Sequence, residues 1–302
     1  MNMKESIKIS IIIPFYKGNQ YLERLFNSII KVSELTSEIA IYEIIIVNDS
    51  PGIKIILPRT CSSIIVREIT NPVNLGIHKS RVNGLKNASG EWILFLDQDD
   101  ELIDNGFRKQ IELTDKADVV VGNGIYMLGN LNKKIYNNLK TMDYLIQEKM
   151  FIKIRNLIPS PGECLIKKDI IPDLWKKCRL KNNGADDWFL WLLLFKRSAR
   201  FVCNDDFVYI HNDASGENLS ANLEKMKKSS KEMLGILKKR NVLNGYEIKT
   251  LSHAIEFKYN QDTGQLSLKK LIKYIDALFA NIFYRIKLII YNSIIIFLFL
   301  NI

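Results

Sequence analysis

The chain has 302 residues, 47% of them apolar and 25% charged, with a formal net charge of +10. The apolar share excludes a disordered chain, and 15 Gly with 7 Pro exclude collagen-like and mucin-like repeats. The length suits one large α/β domain or two modest ones. The charge is unevenly spread: residues 225–302 carry 14 Lys/Arg against 5 Asp/Glu, while the rest of the chain is nearly balanced. Such a last quarter is expected to seek something anionic, lipid or nucleic acid. Cys61, Cys164, Cys178 and Cys203 form no C-x-x-C pair, which argues against a zinc site or disulfide framework and for a reducing compartment. Lys4 and Glu5 lead only into the short run Ile7 to Ile13, without the layout of a signal peptide.

In chain order, Lys8 to Ile13 is an apolar run ended by Pro14, which reads as a buried strand. Tyr21, Leu22, Leu25, Phe26, Ile29 and Ile30 then recur at helical spacing. Glu43 to Val47 and Ser63 to Ile69 are two β-branched runs. Ile77, Val82 and Leu85 predict a helix ending near Ala88-Ser89-Gly90, and Glu91 to Leu96 a fourth strand. This β-α-β-β-α-β order, with buried rather than alternating strands, predicts an α/β fold with a mostly parallel sheet covered by helices. The middle, about 118–217, mixes short strands with a helix at Asp187 to Lys196. Helices are expected from about 218 onward: Glu224 to Arg240, a segment around Leu251 to Tyr259, and a last one from Ser267 through Phe283. A boundary near 218 separates residues 1–217 from a basic helical region, 218–302.

Sheets of this kind bind ligands beyond the carboxyl ends of their strands. Those ends run into Pro14-Phe15-Tyr16, Asn48-Asp49-Ser50-Pro51 and Asp97-Gln98-Asp99-Asp100, so acidic residues crowd the edge where a ligand sits. Two carboxylates one residue apart at a strand end can reach a hard divalent cation, Mg²⁺ or Mn²⁺, with positions left open for phosphate oxygens. The same residues also read as an acidic turn and helix cap, and Asp49 as an Asx turn before Pro51. Asp186-Asp187 opens an aromatic, apolar helix; the pair suits either a cap at the helix's positive end or a carboxylate that removes a proton.

Taken together, Ile11-Ile12-Ile13-Pro14-Phe15-Tyr16, Ile46-Val47-Asn48-Asp49-Ser50, Asn74 to Leu85 and Gly90 to Asp100 resemble family 2 glycosyltransferases, in the family's order and approximate spacing. The resemblance covers roughly residues 6–220. It implies a GT-A-type nucleotide-binding sandwich and inverting transfer of a sugar from a nucleoside diphosphate, most often UDP. Carried over, Pro14 and Tyr16 line the base, Asp49 accepts from the uracil ring, and Asp97 holds the ribose beside Gln98. Asp99 ligates Mn²⁺ or Mg²⁺, and Lys79 or Arg81 lies near the nucleotide, in a block more basic here than is usual for the family. Asp187 matches the family's catalytic base; Asp186 stands where Glu is more frequent. Pro161 to Lys168 resembles the segment carrying a Gly near the sugar. Phe207 to Asn212, followed by Asn218-Leu219-Ser220, resembles a late strand whose His211 is a third metal ligand or diphosphate contact, although a lone His at a strand end is as often merely hydrogen-bonded. His253 has no evident partner and reads as structural.

From Leu288 to Ile302 fifteen consecutive residues lack charge, short of the roughly 20 that a bilayer span needs. Arg285, Lys287 and, further back, Lys269, Lys270 and Lys273 precede this run. The combination reads as an interfacial anchor on an anionic leaflet, or as a core helix closing the domain; nucleic acid is disfavoured because it leaves the apolar end without a purpose. The expectation is therefore a cytoplasmic enzyme, peripheral to the membrane, that extends a glycan or lipid-linked acceptor. A membrane-tethered nucleotide-sugar binder without catalysis is the alternative. A nucleotidyltransferase or dinucleotide oxidoreductase is excluded because no Gly-rich phosphate loop follows the first strand.

Overall fold

The computed structural model describes residues 6–58, 64–129, 131–212 and 222–299. Cys61 and the Asn218-Leu219-Ser220 turn lie outside them. The chain begins β1 (Ile7–Phe15), α1 (Asn19–Leu35), β2 (Ala40–Asn48), β3 (Ile65–Thr70), α2 (Ile77–Asn87) and β4 (Trp92–Phe95). Then come β5 (Glu101–Leu102), α3 (Phe107–Glu112), β6 (Val119–Leu128), β7 (Leu131–Lys134), α4 (Leu139–Leu145) and α5 (Glu148–Lys153). β8 (Cys164–Lys167), α6 (Asp173–Lys177), α7 (Asp186–Lys196) and β9 (Phe201–Asn212) follow. The order finishes with α8 (Leu223–Lys239), α9 (Gly245–Asp262), α10 (Leu268–Lys273) and α11 (Ile275–Phe299).

Two compact units interleave along the chain. The first takes residues up to 135, 159–179 and 198–217, and it contains the whole sheet. Its strands lie in the order β3-β2-β1-β4-β8-β6-β9-β5, with β7 paired to β6. The four strands from β3 to β4 are mutually parallel, as are β6 and β9; β8, β5 and β7 pair antiparallel. This is the sandwich expected from the buried, β-branched runs. Ile9, Ile11 and Ile13 of β1 and Ile44 and Ile46 of β2 are fully buried, and α1 packs Leu22, Leu25, Phe26, Ile29 and Val32 into the same core.

Three details differ from the sequence reading. β1 runs through Pro14 to Phe15, paired with Val47 and Asn48 of β2. Its β4 side is paired only from Ile9 to Ile12, so the missing N–H of Pro14 costs no ladder bond there. Helices α4, α5 and α6, of five to seven residues, are too short for periodicity to reveal; α4 is started by its cap, Asn138, which accepts from the Thr141 N–H at 2.9 Å. The last helix is two, because Tyr274 leaves helical geometry at φ −112°, ψ 37°. Its ring is buried against Phe257 and Ala277.

The second unit is helical, built from 136–158, 180–197 and 218 onward. Lys196 of α7 pairs with Glu148 of α5 and Glu247 of α9, each at 2.6 Å. His253 does have a partner: its Nδ1 lies 2.8 Å from Asp276 Oδ1, joining α9 to α11.

Under the sheet's amino-terminal side, Glu43 of β2 is fully buried. It accepts from the Ser10 hydroxyl, from the Ser89 N–H at 2.6 Å and hydroxyl at 2.7 Å, and from Arg67 Nη2 at 2.8 Å. Burial works against the charged form, yet the Ser10 and Ser89 bonds and the Arg67 charge together hold the carboxyl below its ordinary value of 4.5. A depressed carboxylate contributes stability that is complete above the unfolded value and is lost as pH falls through the folded one. Glu43→Gln is expected to cost about 2–3 kcal/mol at neutral pH. It should also flatten the loss of stability below pH 4.5, both read from urea unfolding across the acid range.

Candidate active site

Parallel register brings the carboxyl ends of β2, β1 and β4 side by side: Phe15 lies opposite Asn48, and Ile12 opposite Phe95. The loops leaving these strands carry Asp49, Tyr16 and Asp97 to Asp100. The β5–β9 pairing, Glu101 opposite Ile210 and Leu102 opposite Tyr209, adds the end of β9 and so His211. Pro14, Tyr16, Asp49, Lys79, Arg81, Asp97, Gln98, Asp99 and His211 all belong to this first unit. Asp187 belongs to the second.

Each side chain is held differently. Asp49 is 5% exposed and accepts from Asn71 Nδ2 at 2.8 Å, the Leu75 N–H at 2.7 Å and the Gly76 N–H at 2.8 Å. Gly76 can aim its N–H this way because φ is +86°, a backbone conformation costly for any side chain. Three donors on a carboxylate leave it about one further lone pair. Gln98 bridges two strand ends: its Oε1 accepts from the Tyr16 N–H at 2.9 Å and its Nε2 donates to the Tyr16 carbonyl at 3.1 Å. A Cβ on Gly18 would fall 2.2 Å from that amide, so Gly18 is what leaves Gln98 its place. Pro14 is buried, while the Tyr16 ring is half exposed.

Asp97 Oδ1 is bonded at 2.6 Å by Arg81 Nη2, and Arg81 is buried at 3% exposure. Arg81 thus braces a carboxylate from inside α2, whereas Lys79 on the same helix is half-buried. Asp100 is 1% exposed; it takes the Tyr209 hydroxyl on Oδ2 and the Asn212 N–H on Oδ1 at 3.0 Å, with His211 Nδ1 3.4 Å from Oδ1. Burial, the Asp100 and Asp97 charges and the bond to Asp100 push the Tyr209 phenol well above its ordinary value. For His211, burial opposes the charged ring, but the bond and charge of Asp100, then Asp97 and Asp99, hold it above the usual imidazole range.

Asp99 is the exception. Its carbonyl accepts from Arg24 Nη2 at 2.6 Å and Asn212 Nδ2 at 3.0 Å, but among the described residues no other side chain donates to its carboxylate. Burial, then the charges of Asp100 and Asp97, push its pKa up to about 7. Surplus negative charge of this kind is what a cation relieves. Among the described residues no group of three or more His, Cys, Asp or Glu is arranged as a ready metal site.

In the second unit Asp186 and Asp187 form the first turn of α7. Asp186 is buried and Asp187 half-buried. Asp187 Oδ1 accepts from the Trp188 N–H at 2.7 Å and Oδ2 from Asn156 Nδ2 at 2.7 Å. The sequence reading took Asp100 only as a helix cap and passed over Tyr209, Asn71 and Asn156 as individual residues. Asp100 was discoverable from the acidic doublet after β4. The other three carry no local pattern and are found only by their hydrogen bonds.

Residues 10–175 match the family model described as Glycosyl transferase family 2, and the chain belongs to that family. Two curated relatives are similar over most of this chain. UDP-Glc:alpha-D-GlcNAc-diphosphoundecaprenol beta-1,3-glucosyltransferase WfgD of Escherichia coli is 24% identical over 83% of this chain and 96% of its own. GalNAc(5)-diNAcBac-PP-undecaprenol beta-1,3-glucosyltransferase of Campylobacter jejuni is 25% identical over 65% of this chain and 62% of its own. The fold resembles the crystal structure of S. aureus TarS 1-349 in complex with UDP-GlcNAc, with a TM-score of 0.62, 17% identity, and coverage of 90% of this chain and 80% of that one. The protein is an inverting glycosyltransferase that takes a sugar from a nucleoside-diphosphate donor to a glycan or lipid-linked acceptor.

Tyr209→Phe removes the hydroxyl donor of a buried carboxylate and leaves the rest of the ring in place. It is expected to cost about 1.5–3 kcal/mol in chemical unfolding.

Proposed function

We propose that the donor is a UDP-sugar and the acceptor a lipid-diphosphate-linked saccharide of cell-surface glycan assembly. The observation that carries the donor side of this reading is Asp99, a carboxylate between Asp97 and Asp100 at the end of β4 to which no side chain among the described residues donates, and whose pKa is raised by burial and by those two charges. The names of the two curated relatives, one specifying UDP-Glc and both an undecaprenol-linked acceptor, support the substrate classes.

In this reading Pro14 and Tyr16 line the base, with Tyr16 held in place through its backbone by Gln98. Asp49 offers its remaining lone pair to the uracil N–H, and Asp97, braced by Arg81, accepts from the ribose. Lys79 contributes positive charge beside the nucleotide. Asp99 would hold Mn²⁺ or Mg²⁺, with His211 contributing the ring nitrogen not turned toward Asp100; the donor set is chemically apt for such an ion. When bound, the cation would offset charge on the departing diphosphate. Asp187 takes the proton of the acceptor hydroxyl as that oxygen bonds to the anomeric carbon. The bond from that carbon to the phosphate oxygen breaks at the same time, and the nucleoside diphosphate leaves with the electron pair.

The same proposal assigns residues 1–217 to catalysis and 218–302 to the membrane surface. Among the described residues no helix is long and apolar enough to cross a membrane. α11 nevertheless exposes Ile275, Phe279, Ile282, Ile286 and Ile289 by 42–64% each, at alternating four- and three-residue steps that place them on one face. Lys269, Lys270, Lys273, Arg285 and Lys287 accompany this stripe. An apolar face with a basic surround supports a peripheral position on an anionic leaflet, on the cytoplasmic side.

A panel of nucleotide-sugars with Mn²⁺ or Mg²⁺ and membrane extract as acceptor tests the chemistry. Turnover is expected with one UDP-sugar. Asp187→Asn should lower kcat about a thousandfold with UDP affinity retained, and Asp99→Asn should remove the stimulation by Mn²⁺. Transfer by Asp187→Asn at the wild-type rate would sink the assignment of the base. Flotation with vesicles tests the surface: binding to phosphatidylglycerol vesicles, little to phosphatidylcholine, and a loss of about tenfold or more when Phe279, Phe283 and Ile286 are all made Ser.

A further inference from the structure

The carboxylate of Asp187 is held from outside its own helix. Asn156, 31 residues earlier in the chain, donates from Nδ2 to Asp187 Oδ2 at 2.7 Å. The orientation of this amide is set by its other end: Asn156 Oδ1 accepts from the Ile158 N–H at 3.3 Å, which turns the NH₂ group toward the carboxylate. The turn carrying Asn156 is itself pinned. The Leu157 carbonyl accepts from the buried Tyr136 hydroxyl at 2.8 Å, and Ile158 is fully buried. On the other side, the Trp188 indole N–H donates to the Phe151 carbonyl of α5 at 3.1 Å, and the Phe151 and Phe195 rings pack with centroids 5.1 Å apart. The start of α7 and the turn after α5 are therefore locked together by bonds that flank the Asn156–Asp187 contact.

A carboxylate in the first turn of a helix does not need such help. The unsatisfied N–H groups of that turn and the helix dipole already favour it, and Asp187 Oδ1 takes its bond from Trp188 in that way. The second bond, on the other oxygen and from a separate segment, fixes the rotamer and the plane of the carboxylate. Asparagine suits the task because it is neutral. It donates to the charged form of its partner, which favours ionisation, and it has no acidic proton of its own to surrender. A histidine or a protonated acid in its place would compete for the proton the base must accept.

We propose that Asn156 is a positioning residue for sugar transfer, holding Asp187 ionised and its carboxylate plane fixed for the acceptor hydroxyl. The proposal rests on Asp187 being the base. It makes Asn156 part of the catalytic apparatus although it touches no reacting atom.

Carboxyl-¹³C NMR titration of the full chain reads the ionisation of Asp187, and the split between kcat and KM reads whether the bond from Asn156 serves the transfer step. The Asp187 resonance is identified as the one absent from Asp187→Asn. In Asn156→Ala its titration midpoint is expected about one pH unit higher than in the wild type, and higher still in Asn156→Asp, where a second carboxylate faces it. Asn156→Ser, which keeps a donor, should recover part of the shift. Charged residues next to the pair in sequence, Asp186 on one side and Lys153 and Arg155 on the other, are unchanged in all variants, so a difference between them reports residue 156. Hydrolysis and transfer of UDP-glucose should show kcat lowered about tenfold in Asn156→Ala, with the donor KM within about twofold. An unshifted Asp187 midpoint in folded Asn156→Ala and Asn156→Asp overturns the proposal. If Asp187→Asn abolishes turnover while the Asn156 variants titrate and turn over as the wild type does, the base survives and only the positioning role is lost. If Asp187→Asn turns over normally, the base assignment falls and takes the proposal with it.

Discussion

Parallel pairing of β1 with β2 on one side and β4 on the other is the constraint on which the donor-side geometry depends. A parallel register aligns like ends of strands, so three successive loops must leave the sheet at one edge. That edge receives Asp49, Asp97, Asp99 and Asp100. The charges of Asp97 and Asp100 act on Asp99, and a buried carboxylate has to be offset by donors or positive charge, or else take up a proton. Asp49 is offset by an amide and two backbone N–H groups, Asp97 by Arg81, and Asp100 by Tyr209 and the Asn212 N–H. To the Asp99 carboxylate no side chain among the described residues donates; burial, then the charges of Asp100 and Asp97, bring its pKa to about 7.

This distribution explains why the supporting residues are as specific as the carboxylates. Arg81 at 4% side-chain exposure can pair Asp97 without competing for a ligand in solvent. Tyr209 supplies a hydroxyl from a fully buried ring, so part of the charge of Asp100 is met by a neutral donor. Replacing these neutral or shielded donors with exposed lysines would discharge the edge indiscriminately. The second unit holds one carboxylate in a similar way, where Asp187 accepts from a backbone N–H and a neutral amide.

The C-terminal helices follow a different rule. α9 is closed by a capping box, Asn244 with Glu247, and it buries Leu251, Ala254, Ile255 and Phe257. α11 is tied to it through His253 and Asp276 and through Tyr274, yet keeps an apolar stripe facing outward. A stripe of that length is costly to leave in water. In the proposed peripheral position, burial in a lipid surface would relieve that cost and make use of the basic residues beside it.

Much of the first hundred residues was legible in the sequence. Runs of β-branched residues between helical periods report burial on both faces, and burial on both faces in alternation with helices means a parallel sheet. The strand ends, and so the acidic edge, follow directly from where those runs stop. Short helices such as α4 to α6 were not legible, because one or two turns leave no periodicity to read, and the break at Tyr274 was not, because a buried aromatic looks the same in a bent helix as in a straight one. Nor could the sequence distinguish four aspartates that differ only in who donates to them. Asn71, Asn156 and Tyr209 lie 22, 31 and 109 residues from the carboxylates they serve. Local chemistry determines which residues stand at a strand end; only the folded chain decides which of them are offset and which is left to take up a proton near neutral pH, because hydrogen-bond partners are chosen by proximity in space.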